Sequence, residues 1–272
     1  MIHLFQEALD LTQHIRRVAT ATTPGLELKP LKYGDQDSQY LLHCTHPDMP
    51  ARKDLPVLVY FHGGGWQFGR PDHFRVNAMR LMARGYQVFL ASHRKLPFHS
   101  YRAMQEDLLF MRRYLDEWMR AQQWVDRRYL LGGVSSGGHL SLQFALDPVV
   151  QTQPAQIAGI FALAAPIELD QMPSTPTMWW LGGMRGSALY TAANPISHLL
   201  PVHDFPVLVV HGARDGIVPV ANAQAFAKYA EQKSRLKVRV EVLPDNNHMD
   251  VAAWPFPPNK IHLHLFDWLE QI

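Results

Sequence analysis

The chain has 272 residues, 47 % hydrophobic and 18 % charged, with a formal net charge of +2 when its fifteen histidines are counted neutral. That length suits one large α/β domain or two small ones, with apolar residues enough for a sizeable core. The arginine pairs Arg112-Arg113 and Arg127-Arg128 stand apart with acids beside them, so nucleic acid is not indicated; no apolar run nears the ~20 residues that cross a bilayer, and Met1 to Glu7 lacks the basic-then-apolar order of a signal peptide. Leu4, Ala8, Leu11, Ile15 and Val18 recur at helical spacing and predict an amphipathic opening helix. Extended segments follow around 26–32 and 39–43. The lone cysteine, Cys44, excludes an internal disulfide framework, reads as a small packing residue, and makes a reducing, cytoplasmic home the default. Leu55 to Phe61 is a continuous apolar run, as in a strand buried on both faces. Helix-compatible residues 73–83 precede a strand over 86–91, and Met104, Leu108, Met111, Leu115 and Trp118 mark a core-facing helix. A strand at Tyr129-Leu130-Leu131 leads through a turn to a helix over 139–146. Strands at 157–164, 206–210 and 238–243, a helix marked by Ala223 to Ala230, and a closing helix over 261–272 complete the order. Residues 168–200 have no clear period and read as an insertion.

Alternation at crossover spacing predicts a mainly parallel sheet with helices on both faces. The chain reads as a single domain over 1–272, with the 168–200 insertion over its active face. In such a sheet functional groups gather at the carboxyl ends of the strands, and three segments there carry chemistry.

Gly133-Val134-Ser135-Ser136-Gly137 is a G-x-S-x-G pattern between strand and helix. The turn holds its serine in strained backbone and lifts Oγ clear of the sheet, making Ser135 the nucleophile candidate. A serine hydroxyl needs a base, and the base needs an orienting group. Asp215 follows the strand at 206–210, and His248 follows the strand at 238–243. Asp245 and Asp250 rival Asp215, being nearer His248 in sequence, but neither follows a strand as a separate element. His62-Gly63-Gly64-Gly65-Trp66 follows Phe61. Its glycines let amides approach an oxyanion unobstructed, so Gly64, Gly65 and the amide of Ser136 are the expected donors. Phosphate cradling is disfavoured, since no phosphate-loop pattern is present. Trp66 is either a pocket wall or loop packing. Met178, Trp179, Trp180 and Leu181 either pin the insertion or line an acyl or aromatic subsite, of which the subsite is favoured.

Taken together, these segments resemble the α/β-hydrolase superfamily over nearly the whole chain. The HGGGW loop is similar to that of hormone-sensitive-lipase-like carboxylesterases and kynurenine formamidases. His211-Gly212-Ala213-Arg214-Asp215 with Val218-Pro219 looks more like small feruloyl-esterase or acetylesterase enzymes and arylformamidases. Ser136 stands where such esterases often have alanine. The resemblance implies that His62 anchors the glycine loop. It also implies a small lid and a serine carboxylesterase acting on small esters; the shortness of the 168–200 insertion, without a long apolar lid helix, points to short to medium acyl chains. Catalysis through an acyl-enzyme needs no metal or organic cofactor. Arylformamidase action on N-formylkynurenine is the alternative, and a ligand-binding protein without turnover the more distant one. Activity should rise with pH as the imidazole of His248 gives up its proton. The expected partner is a small ester, with no nucleic acid and no stable membrane insertion; an edge strand could pair with a second subunit, though nothing requires it.

Overall fold

Side chains of β3 (Val57–Phe61) alternate between two hydrophobic clusters: Val57, Val59 and Phe61 face one, Leu58 and Tyr60 the other. This strand is buried on both faces, and a sheet with helices above and below it is the consequence. The computed structural model describes residues 2–124, 126–151 and 156–272, with the side chains of 2–6 and 8 outside that set.

Helix α1 (Ile2–Thr20) leads to an antiparallel pair, β1 (Glu27–Lys32) and β2 (Tyr40–Thr45). After β3 come a 3-10 turn at Pro71–Phe74, α2 (Arg75–Met82), β4 (Gln87–Ala91), α3 (Tyr101–Ala121), β5 (Tyr129–Val134), α4 (Ser136–Leu146) and β6 (Ile157–Leu163). The remainder is α5 (Pro176–Gly182), α6 (Ala188–Ala193), β7 (Pro206–Gly212), α7 (Ala221–Lys233), β8 (Lys237–Leu243), α8 (His248–Ala252) and α9 (Ile261–Leu269). The sheet has eight strands in the order β1-β2-β4-β3-β5-β6-β7-β8. All pairings from β4 onward in that order are parallel, and β2 joins β4 antiparallel. This is the α/β-hydrolase fold.

Helices α3, α4 and α7 cover one face, through residues such as Met104, Leu108, Phe144 and Phe226; α2, α8 and α9 cover the other, through Leu81, Val251 and Leu265. Both edge strands are polar: β1 carries Glu27, Lys29, Pro30 and Lys32, and β8 carries Lys237, Arg239 and Glu241.

Two expectations change. The insertion is not irregular: it holds α5 and α6, with 3-10 turns at Leu169–Gln171 and Pro195–His198. Pieces this short show no recurring stripe, and their N-caps, Thr175 and Ser187, are the signal that marks them. Helix α1 exists, but of its apolar stripe Leu11 and Ile15 are exposed and Val18 is half-buried; Leu4 and Ala8 lie outside the described side chains. Its inward face is polar: Glu7, Asp10 and His14, at helical spacing, meet α8, the segment before it, and Phe256.

Candidate active site

Strand β5 ends at Val134, and the chain turns into α4 at Ser135, whose backbone has φ 55 and ψ −126. A serine at positive φ is strained. It is held there because its amide donates to Leu163 O of β6 at 2.8 Å and its carbonyl accepts from His139 N at 3.2 Å. The turn is tight enough that a Cβ at Gly137 would lie 2.1 Å from Phe61 O. Only glycine lets α4 come that close to the end of β3.

The glycine loop leaves β3 beside this turn: a Cβ on Gly63 would sit 3.6 Å from that of Ser135. Gly64 at φ 130 and Gly65 at φ 59 bend the backbone through conformations side chains avoid. Gly64 O accepts from Phe68 N at 2.8 Å and Gln67 N at 3.1 Å, which fixes the loop. Among the described residues, the amides of Gly64, Gly65 and Ser136 donate to no acceptor. His62 is buried, with Nδ1 2.9 Å from Gly63 O and its ring stacked on His93 at 4.9 Å. Burial, then the neighbouring His93, pushes its pKa well below the usual histidine range, so it stays neutral.

Asp215 lies three residues beyond β7, its side chain fully buried. Oδ1 accepts from the amides of Ile217 at 2.9 Å and Val218 at 2.7 Å, while Oδ2 lies 2.8 Å from His248 Nδ1 and 3.3 Å from His211 Nε2. Burial pushes this carboxyl up, but hydrogen bonds from His211, His248 and the Val218 amide outweigh it and hold Asp215 well below the usual carboxylate range. An ionised carboxylate only accepts, so Nδ1 of His248 carries a proton, and in the neutral ring Nε2 is the nitrogen with the free lone pair. His248 opens α8, whose N-cap Asn247 forms a reciprocal capping box with Asp250. The two rivals for Asp215 are occupied elsewhere: Asp250 in that box, Asp245 on the surface paired with Arg214 at 2.6 Å. The acid and histidine loops are joined directly, Arg214 N donating to Asn246 O at 3.0 Å.

The structure thus brings Asp215 and His248 into contact and sets the glycine loop against Ser135. Among the described residues Ser135 Oγ and His248 Nε2 form no hydrogen bond with each other.

Trp66 is 3 % exposed, and its indole N–H donates to His139 Nδ1 at 3.1 Å, so it packs the loop onto α4. Leu181, expected with the tryptophans at a subsite, is instead wholly buried: with Met178, three residues earlier on α5, it turns into the core. Trp179 and Trp180 face outward, 63 % and 36 % exposed. A cavity of about 130 Å³ within the insertion is lined by Met178, Trp179, Met184 and Tyr190 among others. A larger one, about 340 Å³, lies before β3 and β5, at the amino ends of the strands and away from Ser135. No cluster of three His, Cys, Asp or Glu side chains among the described residues could share a metal ion.

The family model described as BD-FAE matches residues 45–229, a stretch that holds the glycine loop, the serine turn and Asp215. The chain belongs to the BD-FAE family. His248 falls beyond the matched BD-FAE segment, so its place rests on the geometry above. Among curated proteins the chain is similar to Esterase LipC of Mycobacterium tuberculosis, 26 % identical over 79 % of this chain and 58 % of that one. Esterase LipQ of the same organism is 26 % identical over 82 % of this chain and 57 % of its own. The chain therefore spans less than two thirds of these relatives. Esterase B from Lactobacillus rhamnosis superposes with a TM-score of 0.76 at 18 % identity, covering 99 % of this chain and 92 % of that structure.

Two residues at the site escaped the sequence reading. His211 stands in the quoted acid segment, yet nothing in its spacing tells that its ring reaches Asp215. Glu7, 241 residues from His248, gives no sequence signal at all.

Proposed function

We propose that this BD-FAE protein is a serine hydrolase of small carboxylic esters. Ser135 attacks the acyl carbon, and His248 takes its proton through Nε2 and returns it to the leaving alkoxide. Asp215 holds the imidazole tautomer and steadies the imidazolium, while the amides of Gly64, Gly65 and Ser136 receive the oxyanion. Water then resolves the acyl-enzyme with His248 as base. The observation that carries the reading is the 2.8 Å contact of buried Asp215 with His248 Nδ1. It leaves Nε2 basic at the carboxyl end of a sheet whose middle strand ends in a strained serine. Resting-state separation of nucleophile and base is common and closes when substrate binds. The esterase names of LipC, LipQ and esterase B support ester over amide cleavage.

The α-helices of the insertion are short, seven residues in α5 and six in α6. Such a lid suits short to medium acyl groups, with Trp179 and Trp180 as the apolar surface the acyl chain meets.

Ser135→Ala is expected to abolish both hydrolysis of p-nitrophenyl acetate and covalent labelling by a fluorophosphonate, with the fold retained by circular dichroism. Activity across p-nitrophenyl esters should peak at short or medium chains. Unchanged turnover in Ser135→Ala refutes the assignment, and a maximum on long chains with interfacial activation refutes the size class.

A further inference from the structure

The inward face of α1 carries a carboxylate, Glu7, with an unusual set of partners. Glu7 is 2 % exposed. Its Oε1 accepts from Gly216 N at 3.1 Å and His248 N at 2.9 Å, and its Oε2 lies 3.3 Å from Met249 N. Gly216 follows Asp215 directly, and His248 and Met249 are the first two residues of α8. Among the described residues no cation pairs with Glu7. A buried charge is kept only where donors replace water, and here all three donors are amides of the two loops carrying Asp215 and His248.

We infer that Glu7 is a positioning residue for the reaction proposed above, a clamp by which the N-terminal helix sets the acid loop and the histidine loop in register. The inference rests on that reading of the site. The imidazole swings from the Cα of His248, so a shift of its backbone moves Nε2 against Ser135 directly. Asp10 adds a second tie, accepting from Asn247 Nδ2 at 2.7 Å. The far end of the helix is pinned separately: an Arg75 guanidinium nitrogen donates to Val18 O and Ala21 O, both at 2.6 Å. Arg75 therefore holds the same helix without touching either loop.

That separation supplies the test. Glu7→Ala, Glu7→Gln, Arg75→Ala and Ser135→Ala are compared in the full chain for kcat and KM on p-nitrophenyl acetate, fluorophosphonate labelling rate and Tm. Glu7→Ala is expected to lower kcat on the order of tenfold to a hundredfold and to slow labelling in parallel, the scale of a small misplacement of reacting groups, with KM within about twofold. Glu7→Gln, which keeps volume and an accepting oxygen, should fall between, and it carries the test should the alanine variant not fold. Arg75→Ala should lose Tm yet retain kcat below its melting range. An activity loss in the Glu7 variants no larger than that of Arg75→Ala at matched stability reduces Glu7 to a structural contact and overturns the inference. Full turnover in Ser135→Ala would instead sink the reading of the site, and the clamp with it.

Discussion

At Asp215 two histidines share one carboxylate oxygen. His248 receives orientation from it, whereas His211 Nε2 is divided between Val218 O at 2.9 Å and the acid at 3.3 Å. With Asp215 held below the usual carboxylate range, its contribution to stability is present above the unfolded value near ~3.9 and is lost only as pH falls through the lower folded value. An acid limb in the rate profile at mild pH therefore does not come from this carboxyl. Asp215→Asn removes the demand for a proton on Nδ1 and should cost on the order of 10³–10⁴ in kcat. His211→Ala removes one weak donor and should cost about tenfold or less. Equal losses in kcat/KM for the two variants would show that His211 does more than help hold the acid. Ser135, Asp215 and His248 were legible as candidates because each lies past the carboxyl end of a strand pattern, apolar for the first two and alternating for the third, the commonest place for function in this architecture. His211 was not, since its role lies in a ring angle rather than in spacing.

Among the elements, the turn from β5 into α4 leaves no room for a side chain at Gly137. An alanine at Gly137 would put its Cβ 2.1 Å from a backbone carbonyl, which cannot swing aside, and α4 would have to leave β3. We expect Gly137→Ala to lose more than about 3 kcal/mol of stability or fail to fold. Gly186, in the insertion at φ 78 with nothing within 4 Å of a Cβ, should lose only about 1 kcal/mol as alanine. Thermal melting of the two variants checks the contrast, and a Gly137→Ala protein melting with the parent would refute it. Strands and long helices were readable because apolar periodicity repeats in them. Helix α8 was missed because its five residues barely exceed one turn. The orientation of α1 was missed because its inward side chains are matched to polar groups supplied more than two hundred residues later.

Across the whole molecule, several imidazoles are sealed away from water. Burial lowers the pKa of His93 and His139 to about 4, and that of His62 still more decisively. Unfolded, these rings take protons near ~6.5, whereas folded they refuse them until much lower pH. Their stabilising share is thus complete above about pH 6.5 and is lost as pH falls; for His93 and His139 the loss runs toward about pH 4 and is on the order of 3 kcal/mol each. The urea midpoint should accordingly drop between about pH 7.5 and about pH 5, and an unchanged midpoint would contradict the sign.

The two margins of the sheet have a further consequence. At one margin Pro30 offers no N–H. At the other, Arg239 is tethered to Glu241 and Asp267, and Lys237 lies 3.5 Å from Asp204. A ribbon added at the first border would forgo one rung of its ladder, and one added at the second would lie beside a row of charged side chains. Both borders of the folded sheet are thereby poor templates for the growth of a fibre.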